Sequence, residues 1–402
     1  MLKSGETSDG IRQRRAMHRK FMIPVVILST AAFSLADAND AEQAARDATV
    51  VETVLRLKGI DVNTNPRLKA AVLRHLGTQE GTLRYVELVG KLKVRGVEDE
   101  LLRLALEEPA STQGVQAAGL LLQFGETEQI RQAIDGKDEQ AALGAVTALG
   151  HVGSEPALEL LKPLVDDLKR SRPLRTNAAG GLGRNRLGQR FLLSLVQSQK
   201  LPADLNFTVA NALYAAADET IRTAVAKHLK LPAGAEGTPL PPVAQLVKRR
   251  GDIARGQQLY NTTATCNKCH KVRGEGKEVG PDLSEIGGKL SREAMFVSIL
   301  DPSAGISHNY ESYSVVLESG NIVTGTMVNR TDEQITLRTV EAIDKTIRTG
   351  EIDELVKSNV SLMPADLQKT MSAQDLVDVV EFLTTLKKSG TGSQVPSSSE
   401  GG

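Results

Sequence analysis

The chain has little aromatic or sulfur chemistry to draw on. Its 402 residues contain no tryptophan, seven Phe and five Tyr. A large enzyme core usually leans on such rings for buried area, and this composition instead suits stacked helices built from Ala and Leu. There are only two cysteines, too few for the disulfide framework of a small secreted domain. An excess of one charge is also missing, because 49 basic residues face 49 acidic ones. The clustered Lys and Arg of a nucleic-acid footprint are absent, and no nucleic-acid partner is expected. Apolar runs are short. The longest, Phe21 to Leu35, falls below the roughly 20 residues that a bilayer span requires.

Both cysteines fall in one motif, Cys266-Asn267-Lys268-Cys269-His270. Cys-x-x-Cys-His is the attachment pattern for c-type haem. Two thiols on one helical turn can each add to a vinyl group of one porphyrin, and the following histidine can then supply an axial nitrogen to iron. Structural zinc normally needs four Cys or His ligands at paired spacings, and no second pair exists. A thioredoxin-like dithiol needs a βαβ context that the flanking sequence lacks. One covalent haem c is the expected cofactor, with His270 as an iron ligand.

Haem c is attached outside the cytoplasm, so an export signal is expected. Arg12, Arg14, Arg15, Arg19 and Lys20 form a basic region before the apolar run, and Ala36-Asp37-Ala38 offers a small-x-small cleavage site. Residues 1–38 are therefore read as a Sec-type signal peptide, which implies a periplasmic or secreted protein. The alternative is an uncleaved anchor, the only route to the membrane in this sequence.

From residue 41 to 231 the pattern is helical. Blocks rich in Ala and Leu recur at Val115–Leu122, Ala142–Gly150, Thr176–Gly183 and Val209–Leu213. Each is followed by a break and a second amphipathic stretch. A recurrence of about 30 residues reads as helix pairs that bury their apolar stripes only by stacking on neighbours. The array resembles HEAT-type repeats, and an ordinary all-α bundle is the alternative. His75, His151 and His228 are isolated and read as surface or structural residues. Residues 232–248, rich in Pro and Gly, read as a linker, and 389–402 as a disordered tail.

Residues 249–388 carry the motif. A helix is expected over Gly251–Tyr260. A second starts at Ser372-Ala373-Gln374-Asp375, a capping-box pattern, with Leu376, Val379, Val380 and Leu383 at helical spacing. Between them, Tyr313–Leu317, Ile322–Val328, Ile335–Thr339 and Asp344–Arg348 read as strands, with a turn at Ser319-Gly320-Asn321. They form a small antiparallel β insertion at about 310–356. The fold class is thus mainly α: a HEAT-like solenoid followed by a helical haem domain with a β insertion.

Gly256, the Cys266–His270 motif, Gly280-Pro281-Asp282-Leu283, Ile299-Leu300-Asp301-Pro302-Ser303, the strands after Tyr310 and Ser361-Leu362-Met363-Pro364 together resemble a specific cytochrome c type. It is the haem-binding domain found in many Planctomycetes and Verrucomicrobia proteins. The resemblance covers about 249–388. It implies that the first and last helices cross near the haem, with Gly256 at the approach and Tyr260 and Phe382 as facing rings. It implies that the Pro281 carbonyl accepts the second N–H of His270 and that Leu283 packs on the ring. It places the sixth ligand in the loop before the last helix, at Met363; Met371 and His308 are the alternatives, while Met295 and Met327 read as core and strand.

The functional expectation is a monohaem electron carrier with His270 and Met363 on the iron and no catalytic residue. The repeats would dock a redox partner protein, a dehydrogenase or another cytochrome. Two other classes stay open: a peroxidase-like haem enzyme or gas sensor with a free sixth position, and a repeat scaffold with accessory haem.

Overall fold

The computed structural model describes residues 30–57 and 59–388, with side chains from residue 39 onward. The basic stretch, most of the apolar run and the 389–402 segment lie outside the described residues. Ala36–Ala38 falls within the helix Thr30–Arg56. No helix among the described residues is long and apolar enough to cross a membrane. Among the described residues the fold is mainly helical, with 55% helix, 17 helices and one five-stranded antiparallel sheet.

The chain divides into two compact units. Among the described residues, the first comprises 30–57, 59–80 and 88–94. Its helix Pro66–Gly77 starts on Asn65, whose side chain accepts from Arg67 N and Leu68 N, with proline at the first helical position, where its missing N–H costs nothing. Val51, Val54, Val72 and Leu76 are buried. Asp47, also buried, is paired with Arg74 at 2.8 Å, and this contact holds its carboxyl below the usual carboxylate range.

Among the described residues, the second unit comprises 81–87 and 95–388. Each Ala/Leu block lies in a helix: Thr112–Phe124, Glu139–Val152, Arg172–Gly183 and Asn206–Tyr214. These four stack in chain order, each against the next. Capping sets their ends. Ser111 and Asp138 accept from backbone amides of the first turn, and Gly125 and Gly153 close the last turn in the left-handed region. Small side chains set the spacing: a Cβ on Gly150 would stand 2.7 Å from the Gly181 backbone.

The segment read as a linker is not a free tether. Leu240, Val243 and Leu246 are buried in the same core as the haem-domain helices. Ala235 N donates to Met371 O at 2.9 Å, and Val243 N donates to Asn211 Oδ1 at 2.7 Å. Composition marked the turns correctly, but three apolar side chains suffice to dock so short a segment.

In residues 249–388 the helices Ile253–Asn261 and Ala373–Thr385 cross. The capping box is formed, with Ser372 and Asp375 satisfying each other's backbone amides. Gly256 lies at the crossing, where a Cβ would be 2.0 Å from Asp378 O. Next to it Tyr260 and Phe382 meet edge to face, centroids 5.6 Å apart. Buried Asp378 accepts from Asp252 N at 2.9 Å and from Gln374 Nε2 at 2.9 Å, and pairs with Arg255. Around the crossing lie Met295, Phe296, Leu376, Val380 and Leu383.

The insertion has five strands: β1 (Ser312–Leu317), β2 (Ile322–Arg330), β3 (Gln334–Arg338), β4 (Asp344–Arg348) and β5 (Ile352–Ser358). Their order is β4-β3-β2-β1-β5, all antiparallel. Register pairs Val315 with Val323 and with Leu355, and Ile335 with Ile347. A small core of Val315, Ile335, Leu337 and Ile347 results. The turn after β1 carries Gly320 at φ +80°.

Overlap at the helix crossing gives a test. Gly256→Ala forces the two backbones apart, and a loss of about 1–3 kcal/mol is expected from overpacking. Gly119→Ala lies in a helix with nothing within 4 Å of the new Cβ and should be neutral or stabilising by up to about 1 kcal/mol. Urea denaturation of the two variants separates them.

Candidate functional site

The Cys266–His270 motif sits immediately after the crossing helix. The chain leaves Asn261, turns through Thr265 at φ +51° and enters a single tight turn, Cys266–Lys268. His270 N donates to Cys266 O at 2.9 Å, which completes the turn. Tyr260 Oη donates to His270 O at 3.1 Å, so the ring at the helix crossing also tethers the motif. Burial carries the Tyr260 phenol well above its ordinary range, which keeps it a donor.

The next segment folds back over the motif. Val279 N and Gly280 N both donate to Cys269 O, at 2.9 and 2.8 Å, and Lys277 N donates to Asn267 O at 3.0 Å. Leu283 N donates to Lys271 O at 2.9 Å. This return lays Pro281 O 2.8 Å from His270 Nδ1. A carbonyl only accepts, so Nδ1 carries the proton and Nε2 keeps the free lone pair. Burial lowers the His270 pKa, with the Pro281 contact opposing it, and a neutral imidazole results. A hydrogen bond of this kind orients a ligating histidine and raises its basicity.

Glycine makes the approach possible. A Cβ on Gly280 would lie 2.4 Å from His270 Cε1 and 2.9 Å from Nδ1. Gly276, at φ +103°, would place a Cβ 2.3 Å from His270 O. Two contacts from the sheet brace the same return: Arg338 Nη1 donates to Glu278 O at 3.0 Å, and Lys277 Nζ reaches Glu341 O at 3.4 Å. Sequence reading missed Arg338, which is 60 residues from its acceptor, and nothing in its local pattern marks it.

Both thiols are free. Burial pushes Cys266 up to about 12 and raises Cys269 as well. Cys266 and Leu283 pack against the core of the crossing helices, and so does Met363. Among the candidate sixth ligands, Met295 and Met371 are buried in that core, and Met327 lies in β2 beside the sheet core. His308 is exposed and faces Glu311 at 3.8 Å. Met363 alone of these combines a loop position with partial burial against the cluster of Cys266 and Leu283.

These residues fit a covalently bound haem. Two thiols lie on one tight turn, an imidazole is held by one nitrogen with the other free, and a thioether lies on the same apolar cluster. Among the described residues no group of three or more His, Cys, Asp or Glu side chains is gathered as an ion site.

Residues 253–336 match the family model for cytochrome c; a cytochrome c domain implies haem c binding and suggests electron transfer. The match starts at the crossing helix and ends within β3. No curated protein matches the chain.

The Gly280 contact is testable. Gly280→Ala displaces the imidazole from Pro281 O; the thioether-anchored haem stays attached, and the iron–His270 bond is expected to weaken about tenfold or more for a broken ligand support. Gly288→Ala, with nothing within 4 Å, should leave that bond unchanged. The acid concentration that detaches His270 from the iron, followed by the haem absorption spectrum, distinguishes the two.

Proposed function

We propose that the protein is an exported, monohaem electron carrier, periplasmic or secreted, with His270 and Met363 on the iron. The carrying observation is His270: its Nδ1 is committed to Pro281 O at 2.8 Å, which leaves Nε2 for a metal. Cys266 and Cys269 anchor the porphyrin, and Leu283 packs on it. Bound haem supplies a one-electron iron couple. The chain's own residues would tune its potential: a half-buried imidazole and a thioether as ligands, and an apolar surround. The resemblance to the Planctomycetes and Verrucomicrobia type supports the same ligand set.

With His270 and Met363 both holding the iron, a small substrate would find no free position on it, which favours carriage over turnover. The helices of residues 41–231, of which 95–231 belong to the second unit, are read as a HEAT-like solenoid that docks a redox partner protein, a dehydrogenase or another cytochrome. Support comes from four Ala/Leu helices that stack in chain order and from the absence of a catalytic constellation in their sequence. Export is supported by the basic and apolar stretches before residue 36 and by the extracytoplasmic attachment of haem c.

The test is spectroscopic. The mature protein, made with haem c maturation machinery, should keep its haem on denaturation. It should be low-spin when reduced and show a weak far-red sulfur–iron band when oxidised. Met363→Ala should abolish that band and open the iron to carbon monoxide. A high-spin wild type indifferent to the substitution would overturn the carrier reading in favour of an enzyme or gas sensor.

A further inference from the structure

The helical stack and the Met363 loop are joined by a continuous chain of contacts within the second unit. Arg172 opens the helix Arg172–Gly183. Its Nη2 donates to Asp301 Oδ1 at 2.8 Å and Oδ2 at 3.1 Å, and to Asp204 O at 3.0 Å. Both partners of the Arg172–Asp301 pair are largely buried, at 15% and 11% exposure. Asp301 closes the helix Arg292–Leu300 and begins the turn Asp301-Pro302-Ser303-Ala304, held by Ala304 N donating to Asp301 O at 2.9 Å. From that turn Ser303 Oγ accepts from Ser361 N at 3.0 Å, and Ser361 Oγ accepts from Met363 N at 3.1 Å. The stack also faces the other side of this loop. A cavity of about 400 Å3 is walled by Arg172 and Asp204 from the stack and by Ala365, Asp366 and Lys369 from the residues after Met363.

We propose that Arg172 is a positioning residue for the sixth haem ligand: through Asp301, Ser303 and Ser361 it fixes the loop that presents Met363, so the stack is part of the haem site. This rests on the reading of Met363 as the ligand. The physical case is one of over-determination. A loop methionine is a soft, weakly held ligand on a flexible side chain, and its occupancy of the iron depends on how little the loop gains by moving away. Met363 N is held through Ser361, and Ser361 N through the turn that Arg172 ties down. A largely buried ion pair is weakly screened, and removal of one partner leaves the other charge desolvated and unpaired. The turn then relaxes, and the loop with it.

Four variants of the full-length haem-loaded protein test this: Arg172→Gln, Ser303→Ala, Arg175→Gln and Met363→Ala. The readouts are the far-red sulfur–iron band and the affinity of the ferric protein for added imidazole, which competes for the sixth position. Arg172→Gln and Ser303→Ala should each weaken the band and tighten imidazole binding, by roughly twofold to thirtyfold for a coupled position. Ser303→Ala leaves the stack untouched and serves if Arg172→Gln fails to fold. Arg175 pairs with Asp204, which also holds Arg172, so Arg175→Gln should lower thermal stability and shift imidazole affinity less than Arg172→Gln does. Wild-type imidazole affinity in folded Arg172→Gln, with the band lost in Met363→Ala, overturns the inference and leaves the ligand assignment standing. An equal shift in Arg175→Gln also overturns it, since general loosening would then suffice. A band that survives Met363→Ala overturns the assignment itself and the inference with it.

Discussion

The hydrogen bond from His270 Nδ1 to Pro281 O, 2.8 Å long, is the contact on which the site depends. It fixes the tautomer, the ring plane and the free nitrogen together. It also dictates the surrounding backbone. For Pro281 to reach the ring, the chain must double back over the motif. That return is held by the amides of Val279 and Gly280 on Cys269 O. The return passes so close to the imidazole that position 280 has no room for a side chain. Gly276 at φ +103° makes the bend, and Arg338 fastens the return to the sheet.

The same economy of space governs the packing beneath the motif. Helix Ile253–Asn261 approaches helix Ala373–Thr385 at Gly256, and the segment after the motif meets the last helix at Gly287, where a Cβ would fall 2.4 Å from Thr384 O. Backbones in contact leave no void to be repacked. Each close approach therefore sets the position of the next element, and the Tyr260 hydroxyl carries that position to the haem motif. The site inherits its rigidity from a helix crossing.

Much of this was legible in sequence. The capping box at Ser372–Asp375, the Ala/Leu helices and four of five strands follow from local pattern, because caps and periodicity act within a few residues. Strand β5, Ile352–Ser358, was missed. Its sequence Ile-Asp-Glu-Leu-Val-Lys-Ser has neither clean alternation nor a buried run, and it is a strand because β1 offers it an open edge. The segment 232–248 was read as a tether for the complementary reason: Pro and Gly report turns, whereas its docking depends on a core assembled from residues far along the chain.

By itself the sequence determined the chemistry. Two thiols and an imidazole within one turn are the pattern of c-type haem attachment, legible because these groups lie within five residues of one another. Tertiary structure decided everything that depends on distance along the chain: Gly256 against Asp378, Arg338 on Glu278, and Arg172 on Asp301, 129 residues away. No spacing rule encodes such pairs. Packing brings them together, and packing is a property of all the elements at once.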